Sequence, residues 1–151
     1  MSMNSDKIAA IKAFIQEVSL DVKDYQALLK VLRTQHILLA QRDSQRLEQT
    51  AAQYQQFLAK LENRAAKRSQ LLIKIGVSSD AQGVDKLINA LPDSIAQPLT
   101  KNWNKLQAVV SECQAQNERN GNLLSMQHSI LSELTHKSEP QTYSPETYPA
   151  E

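Results

Sequence analysis

The chain has 151 residues, with 17 Lys and Arg against 16 Asp and Glu, a formal net charge of +1. Leu, Ala and Gln number 19, 16 and 17, while Gly is 3 and aromatics are 5%, so the β-branched and aromatic strands and frequent Gly turns of a sandwich or barrel cannot be furnished. The absence of a Gly-rich phosphate loop argues against a doubly wound nucleotide fold, and the near-balance of charge argues against a general nucleic-acid binder.

From Ile8 the apolar residues recur alternately three and four apart: Ile8, Ile11, Ile15, Val18, Val22, Tyr25, Leu29, Leu32, then His36 and Leu39. This is a heptad seam with one polar interruption, and it predicts a helix over about 5–40, ~50 Å long at 1.5 Å per residue. Asn4, Ser5 or Asp6 can cap its start. Phe14, Leu28, Val31 and Leu38 flank the seam, so this helix is expected to pack against two neighbours. The break Gln41-Arg42-Asp43-Ser44 offers Asp43 or Ser44 as the next N-cap. A second seam follows, Leu47, Ala51, Tyr54, Leu58, Leu61, Ala65, Arg68, Leu72 and Ile75, and stops at Gly76, a residue suited to a left-handed C-cap. So brief a connection favours an antiparallel hairpin.

Ser78-Ser79-Asp80 and Gly83 read as a turn. Val84, Leu87, Ile88 and Leu91 fit a short helix before Pro92, and Asp93 or Ser94 caps a third long helix with Pro98 in its first turns. Its seam runs Trp103, Leu106, Val110, Cys113, Asn117, Asn120, Leu124, Gln127, Leu131 and Leu134. The last residues, SEPQTYSPETYPAE, hold no aliphatic side chain larger than Ala and are expected to be disordered. The expected architecture is all-α: an elongated antiparallel coiled-coil-like bundle of three long helices plus one short helix over 1–137, with a flexible tail over 138–151.

Catalytic and metal chemistry find little support. Glu133-x-x-His136 has the spacing of di-iron carboxylate bundles, but those need two such pairs and two further Glu, so chance is the better reading. Cys113, on a seam, reads as a small buried apolar residue, and His36 and His128 as packing residues. No Ser/His/Asp set or zinc spacing is found. The chain is read as neither an enzyme nor a cofactor or metal binder. One Cys cannot form an internal disulfide and fits a reducing compartment. The opening MSMNSDKIAAIKAF lacks a signal peptide's apolar core, and no apolar run exceeds that of Ile37-Leu38-Leu39-Ala40, far short of the ~20 residues that span a bilayer. A cytoplasmic protein without stable membrane insertion is expected.

Arg68 interrupts an apolar seam, either to fix helix register or to meet a partner. The third long helix is the most informative. Asn117 and Asn120 weaken its seam, and Gly121 costs ~1 kcal/mol relative to Ala within a helix. Leu123, Leu124, Met126, Ile130, Leu131 and Leu134 then place apolar groups on more than one face. The pattern fits either an ordinary core helix with a tolerated Gly or a face for a partner helix. Tyr143 and Tyr148 are candidate docking residues in an otherwise polar tail.

At these same residues the sequence resembles the FlgN-type flagellar export chaperones. The resemblance is clearest at Asn117-Glu-Arg-Asn120-Gly121-Asn-Leu123-Leu124, with Trp103 upstream, Arg68-x-x-Leu71-Leu72 leading to Gly76, and Glu139-Pro140-Gln-Thr-Tyr143 in the tail. It implies a cytoplasmic chaperone for the hook-associated proteins of the hook–filament junction, gripping their helical C-terminal segments and delivering them to the flagellar type III export gate. Clients would then meet Asn117, Asn120, Gly121, Leu123, Leu124, Met126, Ile130, Leu131 and Leu134, and the gate would meet Tyr143. The family often has Gly after this Tyr. Here Ser144-Pro145 follows, and Tyr148 competes for the role. The other reading is a non-catalytic coiled-coil adaptor or oligomerisation module, and homodimerisation is open on either.

Overall fold

The computed structural model describes residues 5–138, with side chains through Leu134. Every regular element among them is a helix: α1 (Ser5–Gln41), α2 (Ser44–Ile75), α3 (Ala81–Ala90) and α4 (Asp93–Ser138). This is the expected all-α bundle of three long helices and one short one. At 46 residues, α4 is ~69 Å long.

α1 is the central element, and both α2 and α4 pack along it. Its two apolar flanks require this, as the doubled seam predicts. α2 runs antiparallel to α1: Lys67 reaches Glu17 and Lys60 reaches Asp24. α3 reverses the chain again, so α4 returns parallel to α1. One core joins all four helices. Phe14 and Val18 of α1, Val84 of α3 and Leu99 of α4 are fully buried in it, with Leu72 and Ile75 of α2 beside them. Phe14 meets Trp103 with ring centroids 6.4 Å apart and a tilt of 39°.

The turns follow from local chemistry. Asp43 caps α2, its Oδ1 accepting from Arg46 N at 3.1 Å. Asp80 caps α3 by accepting from Gly83 N at 3.0 Å and from Ser78 Oγ at 2.6 Å. These bonds to the ionised carboxylate hold its pKa below the ordinary value. Gly83 packs against the main chain of Ser78, and a Cβ there would overlap the Ser78 carbonyl oxygen. At the end of α2, Gly76 has φ 101°, and its N–H and that of Val77 return to the Leu72 carbonyl. The end of α1 makes the same kind of cap without glycine: Arg42 has φ 58°, Arg42 N bonds to Leu39 O and Asp43 N to Leu38 O. Arg42 therefore sits in a backbone region that L-residues enter at a cost.

The α1–α2 register is set by charge. Glu17, Asp21 and Asp24 form one stripe on α1. From α2, Arg64 reaches all three: Nη1 lies 2.8 Å from Asp21 Oδ1 and 2.6 Å from Asp24 Oδ2, and Nε lies 3.6 Å from Glu17 Oε1. Arg68 Nη1 meets the other Asp21 oxygen. Asp21 is fully buried, while burial lowers the pKa of the Arg68 guanidinium and nearby Glu17 opposes that shift. Of the two roles open to Arg68, the structure gives it the register role. Lys60 and Lys67 extend the stripe from exposed positions and add little.

Removing one partner of a buried ion pair leaves the other's charge uncompensated. Asp21→Ala is therefore expected to lower unfolding free energy by ~3–5 kcal/mol, read as a fall in the urea midpoint. Asp21→Leu combined with Arg68→Leu should recover part of that loss. A change in Asp21→Ala below ~0.5 kcal/mol, the range of ordinary surface substitutions, would show that the stripe does not hold the hairpin.

Candidate functional site

α4 is registered on α1 by a ladder of side-chain donors. Cys113 Sγ donates to Tyr25 O at 3.5 Å, Asn120 Nδ2 to Leu32 O at 2.8 Å and Gln127 Nε2 to Leu39 O at 2.8 Å. Donors and acceptors both advance by one heptad, and every pair is offset by 88 residues. A constant difference between partners is the mark of two parallel helices in one register.

Asn120 is the centre of this ladder. Its Oδ1 accepts from Gln116 Nε2 at 2.9 Å and faces His36 Nδ1 at 3.0 Å, which donates when it carries the ring proton. Gln116 Oε1 in turn accepts from Arg119 Nη2 at 2.9 Å. Asn120 and Gln116 are both buried. Each finds hydrogen-bond partners, so neither becomes an orphaned polar group in the interior.

Past Cys113 the burial of α4 inverts. Its last buried apolar residue is Cys113, and the buried residues after it are Gln116 and Asn120. From Gly121 to Leu134 no residue is buried, although Leu123, Gln127 and Ser132 are half-buried. The large apolar side chains are outside: Leu124 is 56% exposed, Met126 59%, Ile130 46%, Leu131 59% and Leu134 57%. Register explains part of this. The offset of 88 sets Gln41, the end of α1, opposite Ser129, so Leu134, one heptad past Gln127, holds the next inward position after α1 has stopped.

Leu124 and Leu131 belong to a different line. α2 and α4 leave between them a depression of about 150 Å³ with α1 as floor. Tyr25, Leu28 and Leu32 form that floor, Tyr54 and Leu58 one wall, and Val110, Cys113, Gln114 and Asn117 the other. Asn117, Leu124 and Leu131 lie one heptad apart, so the α4 wall continues into exposed leucines. Gly121 sits one turn from Asn117 and from Leu124. A Cβ there would meet nothing within 4 Å, so no other part of the described chain presses on it.

The residues singled out in the sequence thus separate. Gly121, Leu124, Met126, Ile130, Leu131 and Leu134 are exposed and Leu123 is half-buried. Asn117 is exposed at the depression, not inside the seam, whereas Asn120 is buried against α1. Sequence reasoning missed Gln116 as a buried member of the network and Tyr54 and Leu58 as the facing wall. A buried Gln has no periodic signature. The facing wall could have been found, since Tyr54 and Leu58 are adjacent seam positions of α2.

Cys113 is a buried thiol, its pKa pushed up to about 11, mainly by burial, with Glu112 adding to the shift and Arg33 opposing it. His36 is a hydrogen-bonded packing residue. Among the described residues no cluster of three His, Cys, Asp or Glu is placed to hold a metal ion, and no helix is long and apolar enough to cross a membrane. The side chain of His136, and all of Tyr143, Tyr148 and the tail from Glu139, lie outside the described residues.

Comparison with known proteins agrees with this architecture. The family model described as FlgN protein matches residues 1–150. A crystal structure from Pseudomonas aeruginosa, described as a flagella synthesis protein FlgN, superposes with a TM-score of 0.67 at 22% identity, covering 82% of this chain and 90% of that one. At that identity the likeness is one of fold. No curated protein matches the chain by sequence.

The burial of Cys113 generates a direct expectation. Near neutral pH the folded protein should resist thiol alkylation, while the urea-unfolded chain reacts readily. Because the folded thiol holds its proton to about 11 against an ordinary 9.0, its contribution to stability is present below 9 and is lost as pH rises through that interval. Equal alkylation rates in the folded and unfolded states would contradict the ladder's first rung.

Proposed function

Given that this chain belongs to the FlgN family and so has a flagellar role, we propose that it is a cytoplasmic, substrate-specific export chaperone. Its clients are the hook-associated proteins of the hook–filament junction. It holds their helical C-terminal segments and hands them to the flagellar type III export gate. No chemistry is required of it: the task is to cover an apolar stripe and later uncover it.

The observation that carries this reading is the inversion along α4. Five large apolar side chains between Leu124 and Leu134 are 46–59% exposed, while the buried positions just before them are polar. Such an arrangement is expensive for a bundle that serves only itself. It suits a face that receives another amphipathic helix. Gly121 supports the same reading, because its lack of a side chain serves no contact within the described chain and would let a guest helix come close. The guest's own stripe, left bare, would drive premature assembly or aggregation. Tyr143 is the residue assigned to the gate contact.

An adaptor or oligomerisation module could use the same face for a second copy, and the two readings separate experimentally. Gly121→Leu and Leu124→Asp each alter an exposed position, so helicity and melting should change little. Binding of a hook-associated protein's C-terminal segment, measured by calorimetry, should weaken roughly tenfold or more in Leu124→Asp, since one buried Leu is worth ~1.5–3 kcal/mol. Unchanged affinity in both variants would overturn the chaperone reading. Loss of a self-associated species instead, with no client binding in the parent, would favour the adaptor. Tyr143→Ala should keep client affinity and weaken capture by the export gate.

A further inference from the structure

The exposed half of α4 also differs from the rest of the bundle in how it is held. Up to Cys113 the helix is fixed by apolar burial, through Leu99, Leu106 and Val109. Asn120 then ties it by hydrogen bonds to Leu32 O, Gln116 and His36. Beyond Asn120 no residue through Leu134 is buried, and Gln127 makes the rung to Leu39 O.

We infer that α4 from Gly121 onward is an arm that opens from α1 as one unit, rooted at the Asn120 network, while the bundle below stays folded. Three observations carry this. The arm gives up little buried surface when it leaves α1. Its rung can break without stranding an acceptor, because Leu39 O also receives Arg42 N at 3.1 Å. Its first residue is glycine, the weakest helix former after proline, with free space where a side chain would be. Most helical stability in proteins comes from tertiary packing, of which this segment has little, so it belongs to the low-stability end of the molecule. The device is a rigid base with a latch of hydrogen bonds and a hinge point at Gly121. It does not depend on the identity of any client.

Residue-resolved amide exchange on the full chain, without a partner, tests this against ordinary fraying of a helix end. Unit opening should give similar protection across 121–134 and a step at Asn120, with the arm exchanging roughly a hundredfold faster than 99–113. A smooth gradient rising from the end toward Asn120, or protection within tenfold of 99–113, would overturn the inference. Gly121→Ala should slow exchange throughout the arm by about fivefold, the helix-propensity difference, and leave 99–113 unchanged. Equal slowing of both segments, or none in the arm, would remove Gly121 as the hinge. Asn120→Ala should move the step back toward Cys113, and a step that stays in place would remove Asn120 as the root.

Discussion

One helix here serves two partners, and that constraint organises the molecule. α1 must offer a surface to α2 and another to α4, so just over half of its residues are apolar and the remainder must carry specificity. Toward α2 the specificity is ionic: Asp21, fully buried, binds two arginines of the opposite helix. A heptad slip along α2 would strand that carboxylate in the core without a counter-charge. Toward α4 the specificity is dipolar, with side-chain donors finding main-chain oxygens once per heptad. Apolar seams alone tolerate register shifts, and polar residues within a seam remove that freedom.

The helices themselves were legible because their evidence is local and repeated. Periodicity marked every long helix, Asp43 and Gly76 stood where cap chemistry needs them, and Asp80, read only as a turn residue, proved to cap α3. The α1–α2 turn was visible as a polar break, but its left-handed Arg42 was not, since glycine normally announces that conformation. The separation of Asn117 from Asn120 was likewise hidden. Both occupy seam positions in the sequence, yet only Asn120 turns into α1. Their fate depends on the angle at which α4 crosses α1 and on α2 lying apart from α4, which no single-helix pattern contains. The exposure of Leu134 depended on a still less local fact, the length of α1 relative to the register of α4.

The distal part of α4 is where local and global preferences disagree. Its apolar residues ask for burial and its inward positions are polar. In a protein evolved only to fold, such a conflict would be a defect. In a protein that must hold another chain and release it, the conflict is useful. The polar inner face keeps the helix in register, and the apolar outer face stays exposed, as the proposed chaperone role requires. The base of the bundle, with Phe14, Trp103, Val84 and Leu99, carries the folding stability, so the upper part is relieved of that duty.

The parallel course of α1 and α4 has a practical corollary. The first turn of α1 and the last turn of α4 stand at opposite poles of the molecule, separated by more than the ~55 Å length of α1 itself. Anchoring groups, fluorophores or solid supports attached near Ser5 would therefore leave the distal pole unobstructed.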